Sequence, residues 1–267
     1  MDEKADNLHH RGFPLNNLPS NSTGARLQNI GNINIVLLGK TGVGKSSTGN
    51  TILGKNIFKC KKSLKSVTQS CECGESVVEG RHVSVVDTPG FFDTTLPEEK
   101  LAEELAQSVF LSTPGPHAFL FVLPTDRFTE QEEEVCKEIK MMFGQDVLKY
   151  LILLFTHGDD IELETFESEV NEHEMLKKIV KSCQGYHIFN NKDQTNREQV
   201  NDLLQKIDIM TEQNEGKHYS NEIYEEAKRT TFKRFWQNSL PCPFDRSPVE
   251  RITGARLIIT VPAAVKC

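Results

Sequence analysis

Apolar residues along this chain follow two alternating rhythms. Short segments rich in apolar residues at 33–38, 76–79, 83–86, 118–123, 151–155 and 186–189 read as candidate strands. Between them, 45–53, 98–111, 130–142, 165–182 and 197–210 read as helices. Thr129 followed three residues later by Glu132 predicts a capping box at the start of the third helix, and Gly144 stands where that helix should stop. Strands alternating with helices predict an α/β domain over 32–212, with a mostly parallel six-stranded sheet covered on both faces. Residues 1–31 are polar and read as a disordered leader. After Asn214 and Gly216, residues Ile223, Ala227 and Phe235 recur at multiples of four with Tyr224 beside them, which predicts a helix over about 220–236 within an extension at 213–239. The last stretch, 240–267, is broken by Pro241, Pro243, Pro248 and Pro262 and reads as an irregular tail.

Composition narrows the class. A chain of 267 residues can bury a sizeable core, and its net charge of −7 argues against a nucleic-acid partner. The seven cysteines are odd in number and form no Cys-x-x-Cys pair, and no signal-peptide pattern precedes them. Reduced thiols in a cytoplasmic protein are the expectation. Neither Cys71 and Cys73 nor His173 and His218 complete a metal-ligand set with their sequence neighbours. No apolar stretch approaches the ~20 residues of a transmembrane helix, so any place on an organelle membrane would be peripheral and through partners.

The chemistry begins directly after the first strand. Residues 39–46 read Gly-Lys-Thr-Gly-Val-Gly-Lys-Ser, a complete G-x-x-x-x-G-K-[ST] phosphate loop. Gly39, Lys40, Thr41, Gly42, Val43 and Gly44 can turn main-chain N–H groups toward a nucleotide's phosphates, continuing into Ser47. Lys45 adds positive charge near the β/γ-phosphates, and Ser46 offers a hydroxyl to Mg²⁺. After the strand at 83–86 stands Asp87-Thr-Pro-Gly90, an Asp-x-x-Gly whose carboxylate can hold the Mg²⁺ shell and whose glycine N–H can sense the γ-phosphate. Thr68, in the loop between, is the best second hydroxyl for the metal, or simply a turn residue. After the strand at 151–155 comes Thr156-His157-Gly158-Asp159-Asp160. A carboxylate there accepts from guanine N1–H and N2–H₂ together and rejects adenine, which lacks that donor pair. Asp160 is the first choice for this role and Asp159 the fallback, with His157 along the base edge. Asn190 and Asn191 fall where a last base-contacting loop belongs.

These four elements, in this order, resemble the GIMAP family (GTPases of immunity-associated proteins, with AIG-type guanine-nucleotide-binding domains). The likeness spans about 32–230 and is most specific in the phosphate loop continued to Gly54 and in Asp87-Thr-Pro-Gly-Phe-Phe-Asp93. It extends to the box Pro114-Gly-Pro-His-Ala-Phe-Leu-Phe-Val-Leu123 with Asp126-Arg-Phe-Thr-Glu-Gln131. The resemblance implies a three-layer, Ras-like P-loop GTPase domain with a C-terminal helical extension and GTP/GDP specificity with Mg²⁺. It also implies GTP-dependent self-association as a homodimer or homo-oligomer through the nucleotide face, and hetero-association with related GTPases. One position departs from the family's pattern, and another from that of Ras-like enzymes. The family usually has Lys where Gly158 stands, so the packing of an aliphatic stem on the base is lost. Phe91 stands where Ras-like enzymes place a water-orienting glutamine, and Phe cannot hydrogen-bond a water.

Hydrolysis by a monomer should therefore be slow, with Lys45 as the catalytic cation and Arg127, donated across a dimer, matching the family's trans-acting arginine. A surface role beside Asp126 is the other reading of Arg127. Two function classes follow: a GTPase stimulated by dimerisation, or a GTP-loaded scaffold acting by assembly alone. An ATP-dependent P-loop kinase is a more remote third.

Overall fold

The computed structural model describes residues 31–60, 68–92, 96–125, 128–220, 222 and 224–225. Six strands form one sheet in the order β2-β3-β1-β4-β5-β6: β1 (Asn32–Leu38), β2 (Glu72–Val78), β3 (Arg81–Asp87), β4 (Ala118–Pro124), β5 (Leu151–Thr156) and β6 (Tyr186–Ile188). Only β2, paired with β3, runs antiparallel, so the expectation of a mostly parallel sheet holds.

Alternation along β1 divides the core. Ile33, Ile35 and Leu37 face one layer with α1 (Lys45–Leu53) and α6 (Glu198–Gln213). Val36 and Leu38 face the other, with α2 (Glu98–Leu111), α3 (Glu130–Phe143), α4 (Leu163–Glu172) and α5 (Glu174–Ser182). Three layers result, and β4 and β5, buried on both sides, read as unbroken apolar runs for that reason.

The structure corrects three boundaries. β2 starts at Glu72, four residues before the strand expected at 76–79. It is an edge strand that turns Gly74, Ser76 and Val78 inward and Glu72, Cys73, Glu75 and Val77 outward, so its apolar signal is confined to Val77 and Val78. It joins β3 through Glu79 and Gly80, both at positive φ (49° and 75°), the geometry of a two-residue hairpin turn. The single helix expected at 165–182 is two: His173 closes α4, and its Nδ1 accepts from the Leu176 N–H at 3.3 Å to cap α5. A 3-10 segment (Gln145–Tyr150) follows Gly144 before β5. The capping box at Thr129 and Glu132 forms as expected.

Beyond α6 the chain returns to the domain. Tyr219 is fully buried, its hydroxyl donating to Phe143 O at 2.6 Å and its N–H to Pro116 O at 2.9 Å. Tyr224 is helical and buried. Most of the helix expected over 220–236, the leader over residues 1–30 and the tail from residue 240 lie outside the described residues.

Candidate nucleotide site

The phosphate loop sits at the carboxyl end of β1, between β3 and β4, where an α/β sheet opens its binding crevice. Gly42 and Gly44 take φ of 86° and 99°, which side chains other than glycine's resist, and this turns the loop into the first residue of α1. Lys45 is 6% exposed; its ammonium donates to Gly39 O at 3.0 Å and Lys40 O at 2.8 Å, so the loop is closed around its own cation.

Ser46, Thr68 and Asp87 come from α1, the segment before β2 and the end of β3, and they meet. Ser46 Oγ donates to Asp87 Oδ2 at 2.6 Å, Thr68 Oγ1 donates to the same oxygen at 3.3 Å, and the two hydroxyls are 3.5 Å apart. Asp87 is 1% exposed, and its other oxygen, Oδ1, is the one buried side-chain polar atom among the described residues that lacks a hydrogen-bond partner. Burial pushes the Asp87 carboxyl up, while Lys45 and the hydroxyls of Ser46 and Thr68 pull it down; burial wins. Two hydroxyls and a carboxylate with an orphan oxygen are a hard-oxygen set suited to Mg²⁺.

The Asp-x-x-Gly segment is fastened to the loop. Thr88 Oγ1 donates to Leu37 O at 2.6 Å, and the Phe91 N–H to Gly39 O at 3.1 Å. A Cβ on Gly90 would lie 2.3 Å from Thr41 N, so only glycine fits this approach. Phe91 turns into the core and is 1% exposed. The Lys40 side chain leaves the loop for α3, donating to Gln131 Oε1 at 2.6 Å and Glu132 Oε1 at 2.9 Å.

Beyond β5, buried Thr156 lies with its hydroxyl 3.0 Å from Val43 O, tying the expected base loop to the phosphate loop. Residues Gly158–Asp160 form a 3-10 turn after His157, whose φ is 65°. The Gly158 N–H donates to Phe189 O at 2.9 Å, and a Cβ there would lie 2.7 Å from Ile188 Cγ2, so the turn presses too closely on β6 for the lysine usual in the resembling family. The Asp159 carboxylate pairs with Lys192, which holds it below the ordinary carboxylate range. The side chain of Asp160 and the whole of Arg127 lie outside the described residues. Asn190 Oδ1 accepts from the Lys192 N–H at 2.9 Å, holding its own turn. Asn191 is bound to α1, accepting from Thr51 Oγ1 at 2.8 Å and donating to Thr48 Oγ1 at 3.1 Å, and Ser47 Oγ lies 3.5 Å from Cys60 Sγ.

The model of the AIG1 family matches residues 33–239. The chain belongs to the AIG1 family. It is 37% identical over 208 residues to immune-associated nucleotide-binding protein 9 of Arabidopsis thaliana, an alignment covering 74% of this chain and 61% of that one. It is 35% identical over 193 residues to GTPase IMAP family member 8 of Homo sapiens, covering 71% and 29%. The chain thus spans about three-fifths, or less, of the length of these curated relatives. Among solved structures, Toc33 from Arabidopsis thaliana in complex with Mg²⁺ and GMPPNP superposes with a TM-score of 0.54 at 20% identity, covering 69% of this chain and 86% of Toc33. A second structure, from work on dimerisation and the GTPase activity of the chloroplast translocon components atToc33 and psToc159, gives 0.54 at 19%, covering 68% and 83%. The fold of this AIG1 domain is accordingly that of a P-loop GTPase. Thr48 and Thr51 lie in the extended phosphate-loop motif, Gln131 closes the box from Asp126 and Lys192 lies in no motif, but the roles of all four depend on pairings between distant segments that no local spacing encodes.

Proposed function

We propose that this chain binds GTP and GDP with Mg²⁺, hydrolyses GTP slowly as a monomer, and self-associates through its nucleotide face. The observation that carries the reading is the meeting of Ser46, Thr68 and Asp87, with one carboxylate oxygen unpartnered, beside a closed phosphate loop. Ser46, Thr68 and Asp87 would hold the metal, which supplies charge to the β- and γ-phosphate oxygens during transfer. The loop amides and Lys45 orient the phosphates and oppose the charge that develops on them. Asp160 selects guanine, and Phe91, turned into the core, offers the attacking water no hydrogen bond.

Arg127 from a second copy completes the site in the dimerisation-stimulated form, with assembly extending to related GTPases. The Toc33 work named above supports this arrangement by analogy of fold. The buried Phe91 also favours a second reading, a GTP-loaded scaffold with negligible hydrolysis. Turnover per molecule that climbs with protein concentration and collapses in Arg127→Ala supports the first; flat, background turnover with oligomers intact supports the second. Both depend on guanine binding. Asp160→Asn should weaken GTP and GDP about 10- to 100-fold, the worth of a hydrogen bond to a charged group; unchanged affinity removes Asp160 from the site.

A further inference from the structure

Lys40 makes two separate connections. Its carbonyl accepts from the Lys45 ammonium at 2.8 Å, and its own ammonium reaches 92 positions along the chain to Glu132 at 2.9 Å and Gln131 at 2.6 Å. We propose that Lys40 and Glu132 are positioning residues that transmit occupancy of the phosphate loop to the first turn of α3. The inference rests on the guanine-nucleotide reading above.

Glu132 has two oxygens with different partners. Oε2 accepts from the Thr129 N–H at 2.9 Å and from the Thr129 hydroxyl, completing the capping box, while Oε1 takes Lys40. The carboxylate is 4% exposed and the lysine 23%, so this pair is largely shielded, unlike the solvent-bathed pairs that contribute little. Burial alone would raise the Glu132 carboxyl, but the hydrogen bonds from Thr129 and Lys40 outweigh it and keep the group ionised. The helix cap is complete without Lys40, so the first turn of α3 does not need the lysine in order to form. Beside the contact lies a cavity of about 410 Å³ lined by Lys40, Thr129, Glu130 and Gln131. The lysine is therefore held by charge and hydrogen bonding rather than by being wedged in place.

Phosphate binding draws the loop amides and the Lys45 ammonium onto the anion and fixes the main chain at Lys40. A fixed Lys40 main chain narrows the motion of its side chain, and through Glu132 that of the first α3 turn. The coupling is one of restricted motion, and by reciprocity whatever holds this turn also strengthens nucleotide binding.

Amide hydrogen exchange over residues 131–134 of the full chain tests it, with and without GDP and Mg²⁺ at concentrations that saturate each variant; uptake is followed separately with a fluorescent GDP. In the unsubstituted chain these amides should exchange about tenfold more slowly when GDP is bound. In Lys40→Met the change should fall below twofold, and Lys40→Arg, which keeps the cation, should restore it. Glu132→Gln keeps a carbonyl for the Thr129 N–H but no charge for Lys40, and should behave as Lys40→Met does. Equal slowing in Lys40→Met and Glu132→Gln, or no slowing in the unsubstituted chain with GDP bound, overturns the coupling. Failure of the unsubstituted chain to take up GDP overturns the nucleotide reading itself, and the coupling with it.

Discussion

Replacing Phe91 with glutamine would place the usual water-orienting residue at the position directly after Asp-x-x-Gly, yet the structure predicts lost stability and no gain in turnover. The Phe91 ring is 1% exposed and belongs to the core cluster with Val36, Leu38, Val86, Leu105 and Val109. Its N–H is bound to Gly39 O, which fixes the direction of the side chain. Fully burying a phenylalanine is worth about 1.5–3 kcal/mol, and an amide placed in the same apolar site costs a further ~1–3 kcal/mol without a partner. Phe91→Gln should therefore destabilise the domain by about 4 kcal/mol. At a urea slope near ~2 kcal/mol per molar, the midpoint falls by about 2 M. Urea unfolding of the nucleotide-free protein and single-turnover hydrolysis of GTP at one fixed concentration are the assays. A variant within ~1 kcal/mol of the parent that also hydrolyses GTP at least tenfold faster would refute the reasoning, because it would mean that this side chain can leave the core and reach the phosphates.

Two further outcomes concern the frame that carries the site. His117 and His187 are buried neutral, pushed down to about 4 and about 3 by burial first, then by His218 and Arg81 for the former and Lys206 for the latter. Above pH 6.5 neither form of the chain is protonated there and stability is full; as the pH falls toward 4 the unfolded chain takes up protons that the folded one refuses. At pH 5 the distance from the ordinary value of 6.5 sets the loss at about 2 kcal/mol for each histidine. Asp87, raised in the folded state, acts in the opposite direction, so urea midpoints at pH 7.5 and 5 are best compared in an Asp87→Asn background; equal stability at both pH values rejects the claim. Arg81 and Asp208, buried and bidentate at 2.9 and 2.7 Å, join the start of β3 to α6. Asp208→Ala should cost about 3–5 kcal/mol by leaving a buried guanidinium without its carboxylate, and a thermal melt unchanged from the parent's would contradict this.

What the sequence makes legible is what local chemistry encodes. The central strands announce themselves because both faces are buried, and the phosphate loop because glycine is required at fixed offsets. Ser46 and Asp87 are nameable from position, Thr68 is open in the sequence between metal hydroxyl and turn residue, and the three converge. The edge strand β2 was read short because half its residues face solvent, and the break at His173 was hidden because an imidazole cap has no distinctive spacing. The pairings Lys40–Glu132, Asp159–Lys192 and Asn191 with Thr48 and Thr51 join segments that meet only once the sheet order is set. The same holds for Asp159, whose partner Lys192 is visible only in three dimensions.

The polar groups of this crevice divide into those already committed and one that is not. Lys45 is engaged by loop carbonyls, Lys40 by α3, Asn191 by α1, and Asp159 by Lys192. Each of these contacts fixes a segment without occupying the space at the centre of the loop. Among the described residues, Asp87 alone keeps a buried side-chain oxygen without a hydrogen-bond partner, an arrangement that costs free energy wherever it occurs in a folded protein. Such a cost is sustained at sites where a ligand removes it. Because Ser46 and Thr68 approach the other oxygen of the same carboxylate, a small cation shared by two hydroxyls and one carboxylate is a group that relieves the cost. A divalent ion carried in on a nucleotide's phosphates neutralises it together with the charge of its carrier, which is why metal and nucleotide should bind here as one unit.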